Sequence, residues 1–246
     1  MQHLLRRKIK YILICFIACP AIGFGQLRNS LNLPDFDDKL IHFGINLGIN
    51  TSHFNFSHNL YFLNQTGNDT VLDVESLNNL GINLAWLVNL NLSNHFALRT
   101  YPLDLTFSQR EFQYSLSNPN RPAGELPITL KTIQSITLSL PLQVEFNSDR
   151  IDNFKVYTIA GGQIAYDLAA SAGETNTDGT ISLDKLNYGL SCGLGFHLYY
   201  PFFVLSPELR VDWGVNNLLA SDPNNKYSNT IDKVYSRMLT FSLTIE

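Results

Sequence analysis

The chain has 246 residues, enough for one large domain or two small ones, and 45% of them are hydrophobic, an ordinary globular content. Its 21 acidic residues outnumber 17 basic ones, a balance that argues against a nucleic-acid partner. No apolar run reaches the length of a spanning helix, so any membrane insertion must be by strands.

The N-terminus reads as an export signal. Arg6, Arg7, Lys8 and Lys10 form a basic region, residues 11–22 an apolar core, and Gly23-Phe24-Gly25 a small-x-small site before Gln26. An uncleaved anchor fits less well because the apolar run is short and Pro20 interrupts it. A lipoprotein built on Cys19 is disfavoured by the Phe16-Ile17-Ala18 that precedes it. Removing residues 1–25 leaves 13 basic against 21 acidic residues, a net charge of −8, and a single cysteine, Cys192. An internal disulfide and a cysteine metal site are thereby excluded.

Residues 26–41 are a polar lead with Pro34 and the acidic run Asp35, Asp37, Asp38, expected as an exposed periplasmic arm. From residue 42 onward the pattern is period two, the signature of strands with two unlike faces. The first strand, 42–56, sets Phe43, Ile45, Leu47 and Ile49 against Gly44, Asn46, Gly48 and Asn50. Its parity is expected to slip near Thr51, with a bulge, because Phe54 and Phe56 fall on even positions. The second, 80–92, alternates Leu80, Ile82, Leu84, Trp86 and Val88 with Gly81, Asn83, Ala85 and Asn89, broken only by Leu87. The third, 96–116, changes parity at Tyr101-Pro102. The fourth, 131–146, sets Ile136, Leu138, Leu140, Leu142 and Val144 against Ser135, Thr137, Ser139, Gln143 and Glu145. The fifth, 154–170, turns Lys155, Gly161, Gln163 and Asp167 to its polar side.

The sixth, 186–200, is the most regular. Leu186, Tyr188, Leu190, Cys192, Leu194, Phe196, Leu198 and Tyr200 alternate with Asn187, Gly189, Ser191, Gly193, Gly195 and His197. Tyrosines near both ends of the apolar face suit the two interfaces of a bilayer. From Tyr188 to Tyr200 the rise is about 40 Å, or about 28 Å along the normal at a ~45° tilt, close to the hydrocarbon thickness. The seventh strand, 202–215, turns Glu208, Arg210, Asp212 and Gly214 to the polar side, and the eighth, 237–246, Thr240, Ser242 and Thr244. Pro102, Pro141 and Pro207 are the positions hardest to reconcile with a closed ladder.

Eight strands alternate between short turns, at 93–95, 147–152 and around Pro201, and long loops at 57–79, 117–130, 171–182 and 216–235. The apolar faces of the second, fourth, sixth and seventh strands carry no charge, which is informative where a Lys or Arg at the midplane costs about 2–4 kcal/mol. The expected fold is therefore all-β, an eight-stranded antiparallel transmembrane outer-membrane β-barrel with meander topology over 42–246. Its greasy face meets outer-membrane lipid, and both termini lie in the periplasm.

On the inner parity, Asp104 and Arg210 each stand eight residues above the periplasmic start of a strand and are expected to meet across the lumen. With Gln163, Asp167, Glu208 and Asp212 they make a polar network in an interior just wide enough to be filled by side chains. A pore is not expected. His197 faces inward without a recognisable nucleophilic partner, and His42, His53 and His58 lack ligand spacing. No catalytic residue, cofactor, metal or small-molecule substrate is therefore assigned.

The text of residues 33–56, LPDFDDKLIHFGINLGINTSHFNF, resembles the opening of the PorT family. The likeness rests on Pro34, Phe36, Asp37, Asp38, Lys39, His42, Phe43, Gly44, Leu47, Gly48 and Asn50. PorT-like proteins are outer-membrane barrels needed by the type IX secretion system, which exports proteases, adhesins and gliding-motility components. The resemblance implies a non-enzymatic accessory or assembly role in protein export, with other components of that system as partners. Asp35, Asp37, Asp38 and Lys39 are the expected periplasmic docking residues. The alternative is a general small barrel that binds ligands or surfaces through its loops or supports envelope integrity.

Overall fold

A computed structural model describes residues 31–58, 71–116, 128–169, 183–220 and 231–246. The export signal over 1–25, residues 26–30 of the arm and the central parts of the four long loops lie outside the described residues. Residues 32–246 form one compact unit.

The strands are β1 (Ile41–His58), β2 (Val71–Leu77), β3 (Asn79–Asn91), β4 (Phe96–Leu116), β5 (Ile128–Asn147), β6 (Phe154–Asp167), β7 (Leu186–Tyr199), β8 (Val204–Gly214) and β9 (Ile231–Ile245). β2 and β3 are two lengths of one wall strand interrupted at Asn78, and both pair with β4. β1 pairs with β3 from Ile41↔Leu90 to Ser52↔Asn79, the other antiparallel pairings run in chain order from β4 to β9, and β9 closes on β1 from Ile45↔Ile245 to Ser57↔Lys233. The result is the closed eight-stranded antiparallel meander. Connections at 92–95, 148–153 and 200–203 are short and define a turn end; the other end is the loop end.

Alternation sorts side chains as the pattern requires. Phe43, Ile45, Leu47, Ile49, Ile82, Leu84, Trp86, Leu140, Leu142, Leu190 and Leu194 point outward, while Asn46, Asn50, Asn83, Ser191, Glu208, Arg210 and Thr240 are buried in the lumen. Rings collect around the outside of the turn end, with Phe96 beside Phe146, Phe154 on Phe196 and Tyr200 on Phe203. This is the girdle that settles at a bilayer interface. The parity change at Tyr101-Pro102 is real: Arg99 and Tyr101 face inward, then Asp104 and Thr106 do, and the β4–β5 register shifts between Thr100 and Asp104. Pro102 and Pro141 fall together at that shift, where the ladder is already interrupted. Pro207 lies where β7–β8 pairing lapses between Gly195↔Glu208 and Leu198↔Leu205.

Three expectations are corrected. β1 runs past Thr51 with unbroken parity, its only irregularity at Ser57/His58, and Phe54 is buried in the lumen. The outward residues there are His53, Asn55 and Ser57, all exposed and polar, so this part of the strand has left the hydrocarbon and apolar side chains turn inward. Second, the expected loops at 57–79 and 216–235 contain β2 and the first five residues of β9. Third, β8 begins at Val204 rather than residue 202, and Phe202 is exposed in the turn.

Inside the loop end, Phe54, Val74, Tyr114, Leu183, Leu218, Leu219, Ile231 and Val234 pack into an apolar cap. Leu183 and Leu219, from two of the long connections, form an isolated bridge within it.

Candidate functional site

Between the apolar cap and the turn end, the lumen is filled by charged and polar side chains in layers. Nearest the turn end, Arg99 of β4 is fully buried, its Nη1 3.1 Å from Glu145 Oε2 and 2.9 Å from Glu208 Oε2. Its Nη2 donates to the Tyr101 hydroxyl at 2.5 Å. The Tyr157 hydroxyl donates to Glu208 at 2.9 Å, and the Tyr157 ring stacks on His197 with centroids 4.3 Å apart. One guanidinium thus faces two carboxylates, which also accept from the Tyr157 hydroxyl (Glu208) and the Asn147 amide (Glu145), with His197 beside Glu145.

His197 lies 2.7 Å through Nδ1 from the Ser206 hydroxyl and 3.4 Å through Nε2 from Glu145 Oε1. The sequence reading found no partner for this histidine. The three residues match the types of a nucleophile, base and orienting carboxylate, but geometry decides their role. Ser206 is fully buried, and the adjoining cavity of about 20 Å³ takes a water or two, not an acyl substrate. The arrangement packs and hydrogen-bonds.

One layer higher, Arg210 Nη2 lies 3.8 Å from Asp104 Oδ2 and its Nε 3.4 Å from Asp212 Oδ2, so the expected meeting of Asp104 and Arg210 is present. Asn83 donates to Asp104 at 3.2 Å. The six expected network residues do not form one cluster, however. Glu208 belongs to the Arg99 layer, and Gln163 and Asp167 line a higher cavity of about 40 Å³ with Arg110. There Ser135 donates to Asp167, and Arg110 Nη2 donates to Ser236 at 3.2 Å. Sequence reasoning missed Arg99, Tyr101, Tyr157 and Arg110. Arg99 and Tyr101 were readable, since both share the parity opposite Phe96 and Leu98.

The turn end is covered by the arm. Leu33, at φ 48°, turns the chain beneath the barrel, and Arg150 from the β5–β6 turn holds it through the carbonyls of Asn32 and Leu33. The guanidinium stacks over the Tyr199 ring at 3.6 Å. Asn32 bonds Asn153 at 2.8 Å and the Tyr199 carbonyl at 2.9 Å, and Phe36 packs on His42 and edge-on to Tyr199. Asp37 accepts from the Tyr199 hydroxyl at 2.7 Å, Lys155 Nζ at 3.2 Å and Arg150 Nη1 at 3.4 Å. Partial burial pushes its carboxyl up, but these three donors outweigh it and hold the group below its ordinary range. Of the four expected docking residues, Asp37 is therefore turned to the barrel, and Asp35, Asp38 and Lys39 are exposed. The described part of the arm, expected as exposed, is docked along one face.

A closed strand cylinder with a greasy exterior, an aromatic girdle and a charge-filled interior defines a small outer-membrane β-barrel, with its outer face against membrane lipid. The profile of the outer membrane protein beta-barrel domain family matches residues 24–220, and the chain belongs to that family. Similar solved structures include Neisserial surface protein A, at 13% identity over 84% of this chain and 99% of that one, with a TM-score of 0.44. OprG from Pseudomonas aeruginosa is similar at 10% identity over 84% and 94%, with a TM-score of 0.46. Ail, the attachment invasion locus protein of Yersinia pestis, is similar at 13% over 84% and 98%, with a TM-score of 0.36. No curated protein matches the chain.

Proposed function

We propose that this barrel is a non-enzymatic component of protein export by the type IX secretion system, with an accessory or assembly role. Two things support the reading. Charged layers and an apolar cap fill the lumen, so cargo does not pass through it and the work is done at surfaces. And the stretch that resembles the PorT opening is the stretch that caps the turn end: Phe36 and Asp37 fasten it, leaving Asp35, Asp38 and Lys39 facing outward.

On this reading residues 1–25 are removed on export, both termini lie in the periplasm, and the fastened arm with its neighbouring turns docks onto periplasmic components. The carrying observation is that the arm is held by five separate barrel residues, Arg150, Asn153, Lys155, Tyr199 and His42, and so presents its acidic face in a fixed position.

Deleting the gene should abolish secretion of type IX cargo while other outer-membrane proteins are inserted normally; intact secretion in the deletion strain would defeat the proposal. Asp35→Lys with Asp38→Lys should reduce co-purification of periplasmic partners without changing the amount of folded barrel. Shortening the long loops instead, with loss of surface adhesion and normal secretion, would favour a general binding barrel.

A further inference from the structure

Beside the fastened arm, the turn end holds an open cleft of about 190 Å³ between residues 37–38, the 92–95 turn and the 148–153 turn. Pockets that take a whole small ligand run to about 300–1,000 Å³, so this one has room for a single side chain and little more.

Most polar groups around it already have partners. Arg150 and Lys155 line the cleft but are committed to Asp37, and Arg150 also holds the Asn32 and Leu33 carbonyls and lies over the Tyr199 ring. Asn91 gives its amide to the carbonyls of Asp37 and Lys39. The Ser93 hydroxyl accepts from the Phe96 amide, and that of Ser148 from the Val156 amide. Three acceptors are left over. The Asp38 carboxylate is exposed and has no side-chain hydrogen bond or ion pair among the described residues. The Asp149 side chain is 92% exposed and has only His95 near it, at 3.8 Å. Asn147, at the end of β5, is 5% exposed and also lines the cleft. Its Nδ2 donates to Glu145 Oε1 at 2.8 Å, which turns Oδ1 away from that carboxylate, and Oδ1 accepts no hydrogen bond. A buried amide oxygen without a donor is costly, and a donor entering from the cleft would relieve it.

The charge of the lining selects the occupant. Asp37, Asp38 and Asp149 set three negative charges against the two positive ones of Arg150 and Lys155, so the lining is one cation short of balance. A divalent ion would exceed that need, and no group of three or more metal-binding side chains occurs among the described residues. The free acceptors stand on different sides of the cleft, Asp38 on the arm and Asp149 and Asn147 on the end of β5 and its turn. A planar guanidinium carries five N–H donors in a fixed fork and serves several such acceptors at once, whereas an ammonium offers three from a single point. We propose that the cleft takes one arginine side chain of a periplasmic partner, its guanidinium between Asp38 and Asp149 and one donor reaching Asn147 Oδ1. This rests on the docking role proposed above and names the group that the acidic face recognises.

The probe is a blocked tripeptide with arginine between two glycines, titrated at low salt into the full barrel in detergent micelles and followed by amide chemical shifts. The same peptide with citrulline, which keeps the shape and loses the charge, is the comparison. The arginine peptide should give saturable shifts at Asp38, Asn94 and Asp149, and the citrulline peptide should bind at least fivefold more weakly. Asp149→Asn and, separately, Asp38→Asn should weaken the arginine peptide at least fivefold, while Asp35→Asn, on the exposed arm outside the cleft, should change it less than twofold. Heat-dependent gel mobility identifies folded protein, and either cleft variant suffices if the other does not fold. No saturable shift, equal binding of the citrulline peptide, an equal loss in Asp35→Asn, or displacement of the peptide by an equal concentration of calcium chloride would overturn the assignment. Peptide binding decides the cleft and secretion by the deletion strain decides the export role, so the two can fail separately.

Discussion

Replacing Arg99 by alanine tests the account of the lumen most directly. The guanidinium is the only cation within 4 Å of Glu208 among the described residues and shares Glu145 with His197. It also packs over the rings of Tyr101 and Tyr157, with centroids 5.3 and 5.4 Å from Cζ. Its loss leaves two carboxylates facing each other in a space closed to solvent. Removing one partner of a buried pair costs about 3–5 kcal/mol because the remaining charge stays uncompensated. Here the Tyr157 hydroxyl and His197 still serve the carboxylates, which places the expected loss near the lower figure. Reversible urea unfolding of the barrel in phospholipid vesicles, followed by tryptophan fluorescence, measures it. The decisive comparison is the triple variant Arg99→Met, Glu145→Gln, Glu208→Gln, which removes all three charges at similar volume. It should recover at least half of the loss, since a whole buried network can be replaced at little cost. A single variant within about 1 kcal/mol of wild type, or a triple variant no better than the single, would refute the argument that charge balance holds this layer.

Phe54→Ala empties the centre of the apolar cap and removes the ring beneath the Arg110 guanidinium, 4.6 Å away; the expected cost is about 3–5 kcal/mol in the same unfolding assay, against near zero if the ring were lipid-facing. Ile45 and His53 both point outward on β1, one in the apolar band and one above it. Lysine at Ile45 should therefore cost about 2–4 kcal/mol and at His53 about 0–1 kcal/mol, and equal costs would move the membrane boundary. Because the Asp37 carboxyl is held below its ordinary range, the stability it lends the arm is present above the free carboxylate value of about 4 and is lost as pH falls through the lower folded value. Amides of residues 32–39, compared with their intrinsic exchange rates at each pH, should lose protection at the acid end of that window in the wild type and at neutral pH already in Asp37→Asn.

Much of this molecule can be read from period two, because inside a bilayer the outward residues have no choice but to be apolar. The 186–200 alternation, the parity change at Tyr101-Pro102 and the Asp104–Arg210 meeting all follow from that rule. The rule fails where the wall leaves the hydrocarbon. Phe54 and Phe56 look like a parity slip only if the lipid is assumed to continue; once His53, Asn55 and Ser57 meet water, the ordinary preference for apolar interiors returns and no bulge is needed. β2 was hidden for the same reason, since its outward Asp73 and Glu75 read as loop. The Arg99 layer could not be assembled from strand patterns alone. Its members come from β4, β5, β6, β7 and β8, and β4 brings Arg99 in before its parity change and Asp104 after it. The docking of the arm was beyond reach because Arg150, Asn153 and Lys155 lie more than 100 positions away in a short turn and the strand it starts.

The three zones bear on one another. A lumen of this width in the hydrocarbon must hold side chains that are polar on the inner parity, and buried charge is tolerated only when every member has a partner. That demand makes the middle of the barrel rigid and closed. The ends are then free to follow water-phase rules, an apolar cap at one and a fastened strap at the other. Because Tyr199 reaches Asp37 from the last residue of β7, and Lys155 from the second residue of β6, the strap inherits the rigidity of the wall. On the proposed reading, a docking face presented this way would lose little conformational entropy when a partner binds, an advantage over the same segment on a free tail.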